Sequence, residues 1–191
     1  MKLHKVKRMR FLLLHDWLTH IYEPHRVADV GGGKGLLTYL LNKSGWDSTV
    51  IDPNFQSLPA KYKELNRKKH KISPNESVPY IKAAFSTEMV KEFDLIIGLH
   101  AHGCNRAIID GCKQYNKDFL LLPCCVIDEP IDKQPDVDWT KSLREYAEDQ
   151  GLEVKQVKFN FAGNNIALYT DRFLRAKPKV DAELINSLYY D

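Results

Sequence analysis

The sequence has no long apolar run. No stretch approaches the ~18 apolar residues that a membrane-spanning helix needs. The patch Phe11 to Leu14 stops after four residues at His15 and Asp16. A secretory leader needs about 7–15 such residues, so the basic start (Lys2, Lys5, Lys7, Arg8, Arg10) does not read as one. Disulfide staples are also missing. There are four cysteines, Cys104, Cys112, Cys124 and Cys125, and two of them are neighbours; 191 residues can bury a full core without bridges. Reduced thiols and a cytoplasmic setting are expected. Neither sign of charge dominates, and a net charge of +3 permits a nucleic-acid partner without requiring one. The basic residues gather in the first ten positions and at Arg67-Lys68-Lys69-His70-Lys71, which are either solvated surface or phosphate-binding surface. Repeats, low-complexity tracts and long linkers are absent. The expectation is one soluble globular domain over 1–191, with residues 1–24 as a basic helical extension packed on it.

What is present alternates strand-like and helix-like segments, as a parallel sheet covered by helices does. A first helix is expected from Arg8 to Tyr22, closed off by Pro24. Val27–Val30 reads as a buried strand, Lys34–Lys43 as a helix with Leu36, Leu37, Leu40 and Leu41 on one face, and Ser48–Ile51 as a second strand. Pro59 suits the first turn of a further helix ending at the basic cluster. Tyr80–Phe85, Phe93–Leu99 and Phe119–Val126 are further strands, with a helix over Arg106–Tyr115. A helix over Asp138–Gln150 meets Gly151 as its cap. Val154–Phe159 and Ile166–Thr170, with Gly163-Asn164-Asn165 between them, form an antiparallel pair, and Asp181–Tyr189 reads as a terminal helix.

The segment Val27-Ala28-Asp29-Val30-Gly31-Gly32-Gly33-Lys34-Gly35 follows a strand and opens a helix. Glycines there allow a sharp turn and close approach of a ligand to backbone N–H groups. Two familiar patterns are missing. The dinucleotide spacing G-x-G-x-x-G/A fails, because Leu36 or Thr38 stands at its last position. The phosphate loop fails for want of Gly-Lys-Ser/Thr. What stands instead is Asp29-x-Gly31-x-Gly33-x-Gly35, with Asp52 ending the next strand, where a carboxylate can accept both hydroxyls of a ribose. A tight turn and a surface acid would explain each element alone, but not both at this spacing and strand order.

This combination, with a hairpin closing the sheet, resembles class I S-adenosylmethionine-dependent methyltransferases. The resemblance implies a Rossmann-like, doubly wound α/β sheet of about seven strands ending in an antiparallel β-hairpin. It implies S-adenosylmethionine held by Asp29, Gly31, Gly33, Gly35, Asp52 and Pro53, with Ala84 and Phe85 near the adenine. Gly98-Leu99-His100-Ala101-His102-Gly103, followed by Pro123-Cys124-Cys125, narrows the resemblance. It is similar to a methyltransferase subgroup with Gly-Leu-His-Ala-Cys-Gly and Pro-Cys-Cys segments, which includes relatives of a eukaryotic tRNA ribose 2′-O-methyltransferase. Here His102 replaces the usual cysteine, with Cys104 just after it.

Both segments follow neighbouring strands of such a sheet, so His100, His102, Cys104, Cys124 and Cys125 are expected near its ligand-binding edge. The favoured reading gives His100 a place against the cofactor or as a general base, with His102 and Cys124 as further catalytic candidates. Three other readings stand beside it. A zinc site suits the ligand types, but no C-x2-C pair exists and adjacent cysteines rarely share an ion, so no metal is assigned. Cys124 could act as a nucleophile toward a pyrimidine carbon, although the rest of that motif is missing. The cysteines could simply be small core residues. The Asn/Asp-Pro-Pro-Tyr/Phe segment of many base-amine methyltransferases is also absent. The expected activity is methyl transfer to RNA, tRNA or rRNA. Protein or small-molecule acceptors, a nicotinamide-dependent reductase and a catalytically silent scaffold are the rivals.

Overall fold

The computed structural model describes residues 9–65, 67–126, 128–131 and 138–178. Helix α1 (Met9–Ile21) leads into strand β1 (Arg26–Val30), helix α2 (Leu36–Lys43) and strand β2 (Asp47–Ile51). A small hairpin, β3 (Lys61–Lys63) and β4 (Lys69–Lys71), precedes the short strand β5 (Tyr80–Ile81). A 3-10 turn (Thr87–Glu92) then leads to β6 (Leu95–Leu99), α3 (Asn105–Tyr115) and β7 (Asp118–Leu122). Helix α4 (Trp139–Asp149) and the strands β8 (Lys155–Lys158) and β9 (Ile166–Tyr169) complete the described chain.

The main sheet has seven strands in the order β5-β2-β1-β6-β7-β9-β8. The first five run parallel, and β9 is antiparallel to both β7 and β8. This is the class I methyltransferase arrangement, a doubly wound sheet with its last hairpin reversed. The chain reverses direction between β1, which continues toward β2 on one side, and β6 on the other. In open α/β sheets a crevice forms at such a switch point, beyond the carboxyl ends of the strands.

Burial follows from strand composition. Strands β6 and β7 are buried at every position, as parallel strands covered on both faces should be. One apolar layer joins α1 and α2 to the sheet, and the other joins α3 and α4. Trp17 anchors the first layer, meeting Tyr22, Phe159 and Tyr169 edge-to-face at 5.0–6.0 Å. Helix α1 contributes Leu13, Leu14, Trp17 and Leu18 as fully buried residues. Asp138 caps α4 by accepting N–H bonds from Thr140 and Lys141, and Gly151, at φ +77°, follows its end.

Several sequence expectations need correcting. The helix expected after Pro59 is absent; the chain forms β3 and β4 instead. The reason is visible in Lys-Tyr-Lys and Lys-His-Lys, which alternate with period two. Tyr62 pairs with His70 in register, and the two rings stack at 5.1 Å. The strand expected over Tyr80–Phe85 is paired only at Tyr80–Ile81. The strand expected to reach Val126 stops at Leu122, because Pro123 has no N–H to continue a ladder. The closing hairpin is antiparallel, but its connection runs from 159 to 165, braced by the Asn165 amide donating to the Phe159 and Phe161 carbonyls. The first helix is seen from Met9, and Arg8 lies outside the described residues, as does the helix expected over Asp181–Tyr189.

Candidate functional site

A cleft of about 460 Å³ opens beside the carboxyl ends of β1 and β6. Its floor includes Asp29, Gly31, Gly32, Gly33 and Leu99. Backbone geometry explains the glycines: positions 31, 33 and 35 have φ of +65°, +54° and +69°, the left-handed region that residues with a Cβ rarely adopt. At Gly32 the constraint is space, since an added Cβ would lie 2.6 Å from Asp29 Oδ2.

Asp29 is 1% exposed. The Thr38 hydroxyl donates to its Oδ2 at 2.9 Å and is itself 3.1 Å from the Ser48 hydroxyl. Burial pushes the Asp29 carboxyl up to about 6, against the opposing pull of the Thr38 bonds. Asp52, at the end of β2, is 9% exposed. Its Oδ2 accepts from the Gly33 N–H at 3.1 Å, and its Oδ1 from the Asn54 N–H at 2.8 Å. Each carboxylate oxygen retains a further lone pair. The two acids that the sequence singled out therefore flank one glycine loop, and Asp52 holds that loop directly.

The rim of the cleft has the opposite sign. Arg10, Lys34, Lys61, Lys63 and Lys69 line it. Tyr62 lines the cleft with Lys61, Lys63 and Lys69 of β3 and β4, so residues from both faces of the ribbon reach it. Tyr62 and His70 turn to one face, with Tyr62 packed against the core, so Lys61, Lys63, Lys69 and Lys71 share the other. In register, Lys61 stands opposite Lys71 and Lys63 opposite Lys69. Like charges directly opposite one another weaken a ribbon, and an anionic partner would relieve them. Sequence reading marked the basic cluster but missed the hairpin, and with it Lys61 and Lys63. Their signal was the matching Lys-Tyr-Lys and Lys-His-Lys triplets. Arg10 was counted only as part of the basic start, whereas it lies in the cleft with its guanidinium 4.8 Å from the Phe11 ring. Phe55, 59% exposed, stands edge-on to Tyr80 at 4.9 Å, next to the cleft residue Gln56.

The other expected residues are placed as follows. Gly35 is buried behind the cleft, close to Val50 and Val78. Pro53 and Ala84 are exposed, and Phe85 packs against the α3–α4 layer. His100 is half-buried at φ +59°, and its N–H donates to the Leu122 carbonyl at 3.1 Å. A non-glycine residue held there stores about 1–3 kcal/mol of strain, of the kind that gathers at functional sites. The five-residue cluster divides. His102, Cys124 and Cys125 come together, whereas Cys104 packs against the α3–α4 layer.

The comparisons with known proteins agree with this fold. No protein-family model matches the chain. The Caenorhabditis elegans protein named "Probable tRNA (uracil-O(2)-)-methyltransferase" is 29% identical over 104 residues, covering 54% of this chain and 18% of that protein. Its Caenorhabditis briggsae counterpart is 27% identical over 107 residues, with the same coverage. The chain thus spans about a fifth of the length of the curated relatives it matches. Among solved structures, a SAM-dependent methyltransferase from Archaeoglobus fulgidus superposes with a TM-score of 0.54 at 13% identity, covering 90% of this chain and 95% of that one. Monomeric WbdD gives 0.50 at 16%, covering 96% and 49%. These likenesses establish the fold, and the two nematode sequences establish a distant similarity to proteins of that name.

Proposed function

We propose that this chain binds S-adenosylmethionine in the cleft and transfers its methyl group to an acceptor on RNA. The observation that carries the reading is the opposition of charge around one glycine loop, with Asp29 lining the cleft, Asp52 bonded to the loop at Gly33, and five cations lining the same cleft. The residues present fit the cofactor. Asp52 keeps acceptor capacity for a ribose diol, and Asp29 offers a carboxylate to a cationic amino acid group. Gly31 to Gly33 leave room for a ligand to lie against backbone.

When bound, the cofactor supplies a methyl group on a positively charged sulfur. Positioning of the acceptor supplies most of the rate. A hydroxyl acceptor must also lose a proton, and His100, at the switch-point edge of the sheet, is the proposed residue to accept it. The lysine face of β3 and β4, with Arg10 and Lys34, suits the phosphates of a nucleic acid. Exposed Phe55 suits stacking of an unpaired base. The nematode relatives, by name, act on tRNA, which favours RNA over protein or small-molecule acceptors.

Calorimetric titration of S-adenosylmethionine into wild type and Asp52→Ala tests the first step, with nicotinamide dinucleotides as controls. Saturable binding of S-adenosylmethionine alone, weakened at least tenfold by Asp52→Ala, is expected, since a hydrogen bond to a charged group is worth about 1.5–3 kcal/mol. Absence of binding by folded protein would overturn the reading in favour of a scaffold that keeps the fold without the cofactor.

A further inference from the structure

Beside the cleft, at the ends of β6 and β7, His102, Cys124 and Cys125 converge. Cys125 Sγ lies 3.0 Å from His102 Nδ1, Cys124 Sγ lies 3.5 Å from His102 Nε2, and the two sulfurs are 3.4 Å apart. One ligand atom from each residue falls within 4.8 Å of both others. We propose that these three side chains form a binding site for a zinc-class divalent ion, with a fourth position open to water.

The sequence argued against this because no C-x2-C pair exists and adjacent cysteines rarely share an ion; on a strand, neighbouring residues would point to opposite faces. The strand has already ended at Leu122, however, and the backbone from Pro123 onward is irregular, so both thiols turn to the same side. Two tethers hold that loop in place. The Asn164 amide donates to the Cys124 carbonyl at 2.6 Å. Glu129 accepts from the Asn105 and Arg106 N–H groups at 2.9 and 3.2 Å, binding the loop to the first turn of α3. The three ligands are thus preorganised by bonds that do not involve the thiols.

The spacing suits the ion. With metal–sulfur bonds of about 2.3 Å and metal–nitrogen bonds of about 2.0–2.1 Å, tetrahedral ligands stand roughly 3.5–3.8 Å apart. The two sulfurs stand 3.4 Å apart, and the imidazole nitrogen that would take the third position lies within 4.8 Å of both, so small side-chain rotations reach these values. Thiolates and imidazole are the donors that a borderline-soft ion prefers over magnesium or calcium. His102 is exposed and both cysteines are half-buried, so the outer side of the triangle stays open to solvent. Three protein ligands and an open position is the coordination of reactive rather than closed structural zinc sites. A bound ion would lock the loop after β6 to the loop after β7.

The proposal is independent of methyl transfer, and its test does not use activity. The full chain, reduced and stripped of metal with a chelator, is titrated with cobalt(II) as a spectroscopic probe, its four thiols being counted first with a thiol reagent. One equivalent should produce a thiolate-to-cobalt charge-transfer band and the visible bands of a tetrahedral ion, and zinc should displace both. Cys124→Ser, Cys125→Ser and His102→Ala should each abolish or strongly weaken the bands. His102→Cys should restore them, and Cys104→Ser should leave them unchanged. His102 is exposed, so its variants keep the test valid even if a cysteine variant misfolds. Absence of the bands with all four thiols free would overturn the site, as would bands that persist undiminished in Cys124→Ser and His102→Ala.

Discussion

Asp29→Asn separates the cost of the buried acid from its use. Raising the Asp29 carboxyl from its ordinary 3.8 to about 6 means that the fold prefers it protonated. Between those limits the native chain binds a proton that the unfolded chain does not, so stability falls as pH rises through the window. At 1.36 kcal/mol for each tenfold displacement, ionised Asp29 costs about 3 kcal/mol at neutral pH. Asparagine keeps the acceptor for the Thr38 hydroxyl but never ionises, at the expense of burying an amide worth about 1–2 kcal/mol. The variant should therefore be less stable than wild type near pH 4 and more stable near pH 7. The difference should swing by about 2–3 kcal/mol, or roughly 5–10 °C for a domain of this size. Urea unfolding of both proteins across that range measures it. A difference that stays flat would refute the buried, strained acid. A cationic ligand beside Asp29 should repay the cost. On the proposed function, wild-type affinity for S-adenosylmethionine rises with pH through about 6, whereas that of Asp29→Asn is weak and flat.

Two further outcomes rest on other parts of the chain. Replacing Lys61, Lys63, Lys69 and Lys71 together with glutamine should leave the fold intact and weaken RNA binding. The slope of log affinity against log salt should fall by about 0.7 for each single-strand phosphate that is no longer neutralised, and an unchanged slope in filter-binding titrations would remove this face from the RNA interface. Asp118, fully buried, accepts from the Thr170 hydroxyl and from the N–H groups of Arg172, Phe173 and Leu174 at 2.7–3.1 Å. Asp118→Ala leaves those donors without their acceptor and should cost about 3–5 kcal/mol in chemical denaturation. A cost under ~1 kcal/mol would show that water replaces the carboxylate without penalty.

The parts of this molecule legible in its sequence are those set by local rules. Strands β1, β6 and β7 are short apolar runs that fit only a sheet covered on both faces, and Asp29, Gly31 and Asp52 announce themselves by type and spacing. The parts that escaped depend on contacts distant in sequence. Pro59 permits a helix start, and nothing nearby forbids one. The hairpin is decided by Tyr62 stacking on His70 and packing toward Tyr39, three residues that only the fold assembles. Phe85 was expected on a longer strand; β5 ends at Ile81, and Phe85 follows it in irregular backbone, partly buried against the α3–α4 layer. Cys124 and Cys125 were expected at the same sheet edge, but their turning to one side of it escaped for a related reason. Their directions are set by where β7 ends and by Asn164, forty residues away, rather than by the alternation of a strand.

The placement of charge suggests why the acids and the cations of the cleft are kept apart. Asp29 is tied to α2 by the Thr38 hydroxyl, and Asp52 to the loop after β1 by the Gly33 N–H. The lysines stand on an added ribbon whose cross-strand pairs repel. Glu64, next to β3, pairs with His70 at 2.6 Å, and four lysines on the ribbon still leave a net positive field for a partner. Segregation leaves Asp29 buried and the cross-strand lysines opposed in the free chain, at a cost in stability on each side. A ligand with a cationic end fits the floor, and a polyanion fits the rim. On the proposed reading, each ligand then relieves a different strain, and field direction alone orients them with the sulfonium inward and the phosphates outward. The acceptor thus approaches the methyl group from the side where cations hold it, before any residue needs to read its sequence.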